Sequence, residues 1–149
     1  MQENCCTFLG HRDAFGKDIE NKLNYYVEKL ILEKGVTTFY LGNMGRFDYY
    51  AGNAVNKARS THKEVELVWV IPYMYKSINN KEPWIYNYFD DVIFPPELID
   101  LHYNGAIKKR NQWMIDNSAY LISYVHCDFG GAYEGLKYAK RQNICIINI

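Results

Sequence analysis

The chain has 149 residues, of which 48% are apolar and 23% charged, enough for one compact domain with a sizeable core spanning residues 1–149. Seventeen basic residues balance seventeen acidic ones, so no broad basic face is expected of the kind that holds a polynucleotide backbone. No run approaches the roughly 20 apolar residues of a membrane span, and Met1-Gln2-Glu3-Asn4 followed by Cys5 to Leu9 lacks the basic flank and the length of a secretory signal.

We therefore expect a cytoplasmic protein with no membrane and no polynucleotide partner. Cysteines stand at 5, 6, 127 and 145 without a C-x-x-C pair, a spacing that predicts reduced thiols, no metal site and no disulfide frame. No cofactor is expected either.

Cys5 to Leu9 is a short, mostly apolar run that stops at Gly10, the pattern of a buried parallel strand. After the loop "GHRDAFGKD", apolar residues recur at helical spacing from Ile19 through Leu23, Val27 and Leu30 to Ile31, and Lys34-Gly35 closes the helix. Val36 to Leu41, "VTTFYL", is β-branched and aromatic and reads as the second strand. The loop "GNMGRFD" leads to Tyr49–Arg59, whose stripe of Ala51, Ala54 and Ala58 lets a helix lie close to a sheet. Val65 to Ile71 is the third strand, ended by Pro72.

Residues 73–96 are crowded with Asn, Pro and aromatics and predict an irregular excursion with a short strand at Asp91 to Phe94. Lys108 to Asn117 has a helical pattern, Tyr120 to Val125 is a strand, Gly131 to Arg141 a helix and Ile144 to Ile149 the last strand. Strands alternating with helices predict an α/β fold, a Rossmann-like open and mostly parallel sheet with helices on both faces. In such sheets a ligand sits outside the carboxyl ends of the strands, where the strand order reverses.

The loops on that edge combine glycine with charge. Gly10, Gly42, Gly45, Gly130 and Gly131 allow backbone N–H groups to approach an anion, and Arg12 and Arg46 carry guanidinium forks suited to phosphate oxygens. None of the loops is the dinucleotide fingerprint or the P-loop, and each glycine could simply close a tight turn. His11 adjoins the first strand end. Glu134 falls in the first turn after the paired glycines, where it either caps the helix or points at a bound sugar as a nucleophile or hydrogen-bond acceptor.

Several segments, "CCTFLGHRD", "LGNMGRFDYYAGNAV", "VIPY", "KKRNQWMIDNSAYLISYV" and "GGAYEGLKYAKRQNICIINI", resemble in this order the YpsA-like branch of the SLOG superfamily over nearly the whole chain. The resemblance implies a Rossmann-like domain that binds nucleotides or nucleotide-derived small molecules, some relatives being phosphoribohydrolases and others noncatalytic sensors of ADP-ribose-type signals. It also implies a homo-oligomer. By position, Gly10, His11 and Arg12 match the first-loop motif, Gly42, Gly45 and Asp48 the second, Arg110, Asn111 and Asp116 the segment before the fifth strand, and Gly130 with Gly131 the phosphate-binding glycines. The chain departs from the hydrolases' G-G-x-G-T-x-x-E pattern: Ala132 and Tyr133 follow the glycines, although Glu134 remains. Asp128-x-Gly130-x-x-x-Glu134 is also similar to the spacing of nucleoside deoxyribosyltransferases, whose glutamate is the nucleophile.

Two functions follow as expectations. One is capture of a nucleotide derivative for sensing or sequestration. The alternative is an N-glycosidic hydrolase or transferase acting on a nucleoside monophosphate, with Glu134 catalytic. A third possibility, an interaction module built on the tyrosine-rich excursion, carries less weight.

Overall fold

In a computed structural model that describes residues 2–149, the elements in chain order are β1 (Cys5–Gly10), α1 (Lys17–Lys34), β2 (Thr38–Leu41), α2 (Arg46–Arg59), β3 (Glu66–Val70), α3 (Lys76–Asn79), α4 (Pro83–Tyr88), β4 (Asp91–Ile93), α5 (Tyr103–Asp116), β5 (Tyr120–Tyr124), α6 (Gly131–Lys140) and β6 (Cys145–Asn148). The six strands form one sheet in the order β4-β3-β2-β1-β5-β6. All five neighbouring pairs are parallel, the open α/β sheet that alternating strands and helices imply.

The alternation of strand side chains decides which helices cover which face. Cys6 and Phe8 of β1, Phe39 and Leu41 of β2, and Leu67 and Trp69 of β3 are buried with Ile19, Leu23 and Val27 of α1 and with Phe47, Ala51 and Val55 of α2. The other face is covered by α5 and α6: Leu9 and Leu121 pack with Ile115, Leu136 and Ala139, and Tyr40, Val68 and Val70 pack with Met114. The alanine stripe of α2 lies in the first of these clusters.

Three helices begin earlier than the sequence pattern indicates. α1 starts at Lys17 instead of Ile19. α2 starts at Arg46 because Gly45, at φ +91°, turns the chain straight into the helix, and Asp48 then accepts the Met44 N–H at 2.9 Å. α5 starts at Tyr103, where the His102 ring caps the Asn104 N–H at 3.3 Å; histidine is not among the usual capping residues, so its neighbourhood reads as loop.

The excursion after β3 holds two short helices and places β4 on the sheet edge. Ile85 and Phe89 are buried against the α1–α2 face, and the Phe89 ring stacks on Trp69 at 5.2 Å. Arg59 fastens the segment to α2 through a 2.7 Å ion pair with Asp90 and a 2.9 Å bond to the Tyr88 carbonyl. No helix among the described residues is long and apolar enough to cross a membrane.

β1 has β2 on one side and β5 on the other. The strand order therefore reverses between β1 and β5, and the helices that follow these strands leave toward opposite faces, opening a crevice at the carboxyl ends.

Candidate functional site

That crevice is a cleft of about 590 Å³, within the range of small-molecule sites. Gly10, His11, Arg12, Asp48, Arg110, Asn111, Gly130 and Gly131 line it, together with Met44, Ile107, Tyr124, Cys127 and Phe129. Four separate stretches of chain thus meet at one place. The loop after β1 is tied to α2 by Arg46 N–H donating to the Arg12 carbonyl at 2.9 Å, and to β5 by His11 N–H donating to the Tyr124 carbonyl at 3.3 Å.

The buried cation of the cleft is Arg110, 2% exposed. It stands on α5, and its Nη1 donates to the carbonyls of Gly42 and Val70 at 3.1 and 2.9 Å, past the ends of β2 and at the end of β3. Nε donates to Asn111 Oδ1 at 3.0 Å. Nη2 meets only the Met44 sulfur, at 3.5 Å. The exposed Arg12 approaches the same sulfur with its Nη2, at 3.7 Å. Two guanidinium groups therefore converge on one thioether, and among the described residues neither makes an ion pair.

Charge in the cleft is balanced only loosely. Burial pulls Arg110 down from its ordinary value, and Asp48 is the first influence opposing it. Burial pushes Asp48 up to about 6, against the Met44 N–H, Arg110 and Arg12, which all favour its ionised form. Asp48 is thus a cleft carboxyl that changes charge just below neutrality. On the opposite wall the His126 N–H donates to His11 Nε2 at 3.0 Å, and the Cys127 sulfur lies 3.5 Å from the same nitrogen.

The glycines separate into two kinds. A Cβ on Gly10 would run into the Phe47 ring, one on Gly42 would come 2.9 Å from Arg110 Cζ, and one on Gly45 would come 2.6 Å from Arg12 Cα. These three serve close packing, with Gly42 and Gly45 outside the cleft lining. Gly130 adopts φ +94° as the residue before α6, and neither it nor Gly131 has any atom within 4 Å of a would-be Cβ. Nothing in the packing around Gly131 calls for a glycine.

The structure places other expected site residues away from the cleft. Arg46 is exposed and lies over the rings of Phe15 and Tyr49, at 5.3 and 5.7 Å. Asp116 accepts the Tyr138 hydroxyl at 2.7 Å and so fastens α5 to α6. Glu134 is exposed, pairs with Lys137 at 3.6 Å, and sits in an adjoining groove between α5 and α6 that shares Ile107, Asn111 and Gly131 with the cleft. Met44 and Cys127, which carry no recognisable motif, are among the cleft residues that the sequence did not single out, as are Ile107, Tyr124 and Phe129. Among the described residues there is no cluster of three or more His, Cys, Asp or Glu arranged to hold a metal.

No protein-family model matches the sequence, and no curated protein matches it. Solved structures do. DNA processing protein A from Streptococcus pneumoniae superposes with a TM-score of 0.65 at 13% identity, over 95% of this chain and 48% of that one. DNA processing protein A from Helicobacter pylori, described by its single-stranded DNA binding mode, gives 0.61 at 15% identity over 93% and 61%.

The chain shares their Rossmann-like fold. The structural-genomics target TM1055 shares it as well, with a TM-score of 0.62 at 13% identity over 96% of this chain and 72% of that one. The architecture expected from the SLOG resemblance is therefore borne out. This chain spans about half of the S. pneumoniae protein and 61% of the H. pylori one.

Proposed function

We propose that the cleft binds a small phosphorylated ligand, a nucleotide or nucleotide derivative, for sensing or sequestration, and that the chain is a member of the SLOG superfamily. The observation that carries this reading is the pair of guanidinium groups, Arg12 and Arg110, meeting at Met44 without a carboxylate partner. Holding like charges together in a partly dehydrated site costs free energy unless an anion offsets it. Opposite them, the exposed amides at Gly130 and Gly131 open α6, whose N-terminus carries roughly half a positive charge. In this reading Asp48, which lines the cleft, accepts from sugar hydroxyls. Its loss of charge below about 6 lowers the repulsion that an anion meets there.

The test is calorimetric titration with ribose 5-phosphate and AMP. Both should bind saturably and be recovered intact, and Arg12→Ala should weaken each at least about tenfold, as expected for lost charged hydrogen bonds, with unchanged thermal stability. Absence of binding, or binding indifferent to Arg12, sinks the reading.

Cleavage of an N-glycosidic bond ranks second. It is kept because Glu134 lies in a groove that borders the cleft through Gly131 and Asn111. It expects free adenine from AMP, with the release abolished in Glu134→Ala. The single-stranded DNA binding of the H. pylori protein is a weaker guide, because here seventeen acidic residues balance the seventeen basic ones and the chain carries no net charge.

A further inference from the structure

We infer that the nucleobase end of the ligand stacks on an aromatic platform formed by Tyr103 and Tyr73 at the mouth of the cleft. The proposal rests on the anion-binding reading and fixes the direction in which the ligand lies.

On α5, Ile107, Arg110 and Met114 line the cleft. Tyr103 stands four residues before Ile107 and seven before Arg110, so it continues the same helical stripe one turn nearer the mouth. Its ring lies 5.0 Å from that of Tyr73, with 33° between their planes. Tyr73, just beyond the end of β3, stands 5.3 Å from Tyr75, which in turn packs 5.2 Å from Trp69 of the core. The outer pair is thus held from behind by rings that are themselves fixed.

The tyrosines also lie within electrostatic range of the cations. Arg110 feels the hydroxyls of Tyr75 and Tyr73, and Tyr103 feels Arg12. Yet Tyr103 is 60% exposed, and neither it nor Tyr73 belongs to any of the three apolar clusters. Folding leaves an aromatic surface uncovered beside a cationic pocket, the combination that takes a flat base and its phosphate together.

Phe129, 71% exposed on the opposite lip, is the competing surface. It immediately precedes Gly130, so a base stacked there would crowd the amides that receive the anion. The base and phosphate of a nucleotide are held apart by the sugar. The tyrosine pair stands outside the residues that line the anion-binding cleft, on a different stretch of chain from Gly130 and Gly131, and its rings already pack on one another, which reduces the entropy lost on binding.

The experiment compares AMP with ribose 5-phosphate, which differ only by the base, in the wild-type protein and in Tyr103→Leu, Tyr103→Phe and Phe129→Leu. The proposal expects AMP to bind about tenfold more tightly or better, the usual effect of one stacked base. Tyr103→Leu should bring AMP down to the level of ribose 5-phosphate without altering the latter, and Tyr103→Phe should restore the preference. Circular dichroism and thermal unfolding of the leucine variant should match wild type, showing that the fold is intact. Equal binding of the two ligands, a preference surviving in Tyr103→Leu, or its selective loss in Phe129→Leu overturns the assignment while leaving the anion site intact. Failure of both ligands to bind overturns the anion site and this proposal with it.

Discussion

Arg110 carries two roles that substitutions should separate. Its Nη1 bridges Gly42 and Val70, so Arg110→Ala leaves two buried carbonyls unpaired beside a void and should cost about 3 kcal/mol in denaturant unfolding. Arg12→Ala removes a cation from the same cleft but no buried bond, and its unfolding curve should match wild type. Asp48 gives a signature in pH. Its folded value is raised from 3.8 to about 6 by burial, so protonation favours the folded state; the contribution is whole below 3.8 and is lost as pH climbs through 6. Relative to Asp48→Asn, wild-type unfolding free energy should therefore decline across that window. For the same reason sulfate, whose charge is constant there, should bind the wild type about tenfold more tightly at pH 5 than at pH 7. Asp48→Asn is the discriminating variant: it should bind more tightly than wild type at pH 7 and show a smaller dependence on pH.

Among the elements, the glycine-containing turns are where sequence and structure diverge most instructively. The strands of the centre could be placed from β-branched and aromatic runs alone, and α6 from the spacing after Gly131. The beginnings of α2 and α5 could not, because a left-handed glycine and a histidine ring replace the usual polar caps. Likewise, the loops of the cleft show their glycines in sequence but not their purpose. Gly10, Gly42 and Gly45 make room for Phe47, Arg110 and Arg12, a tertiary fact that no local pattern encodes, while Met44 has no motif at all. Gly10→Ala should accordingly destabilise by about 1–3 kcal/mol through overpacking. Gly131→Ala meets open space in the first turn of α6 and should hold or raise stability by up to about 1 kcal/mol, yet weaken phosphate binding by narrowing the approach to the amides. Glu134 shows the opposite limit: its position in the first turn was legible, but which side of α6 it occupies depends on how that helix leans against α5.

At the scale of the whole molecule, seventeen basic and seventeen acidic residues leave no net charge, and the cleft is a local exception. Oligo(dT) should show weak anisotropy changes with a shallow salt slope, corresponding to one or two phosphates instead of a tracked backbone. The sheet order adds a kinetic consequence. β1 pairs with β5 through Cys6 to Tyr120 and Gly10 to Tyr124, partners separated by most of the chain, whereas β1 to β4 form through nearer neighbours. Closing so large a loop is slow, so the cleft is expected to be the last region to mature during refolding and the first to come apart when β5 detaches. A molecule lodged there would act as a latch between early-forming and late-forming halves, slowing amide hydrogen exchange in β5 while leaving that of β3 unchanged.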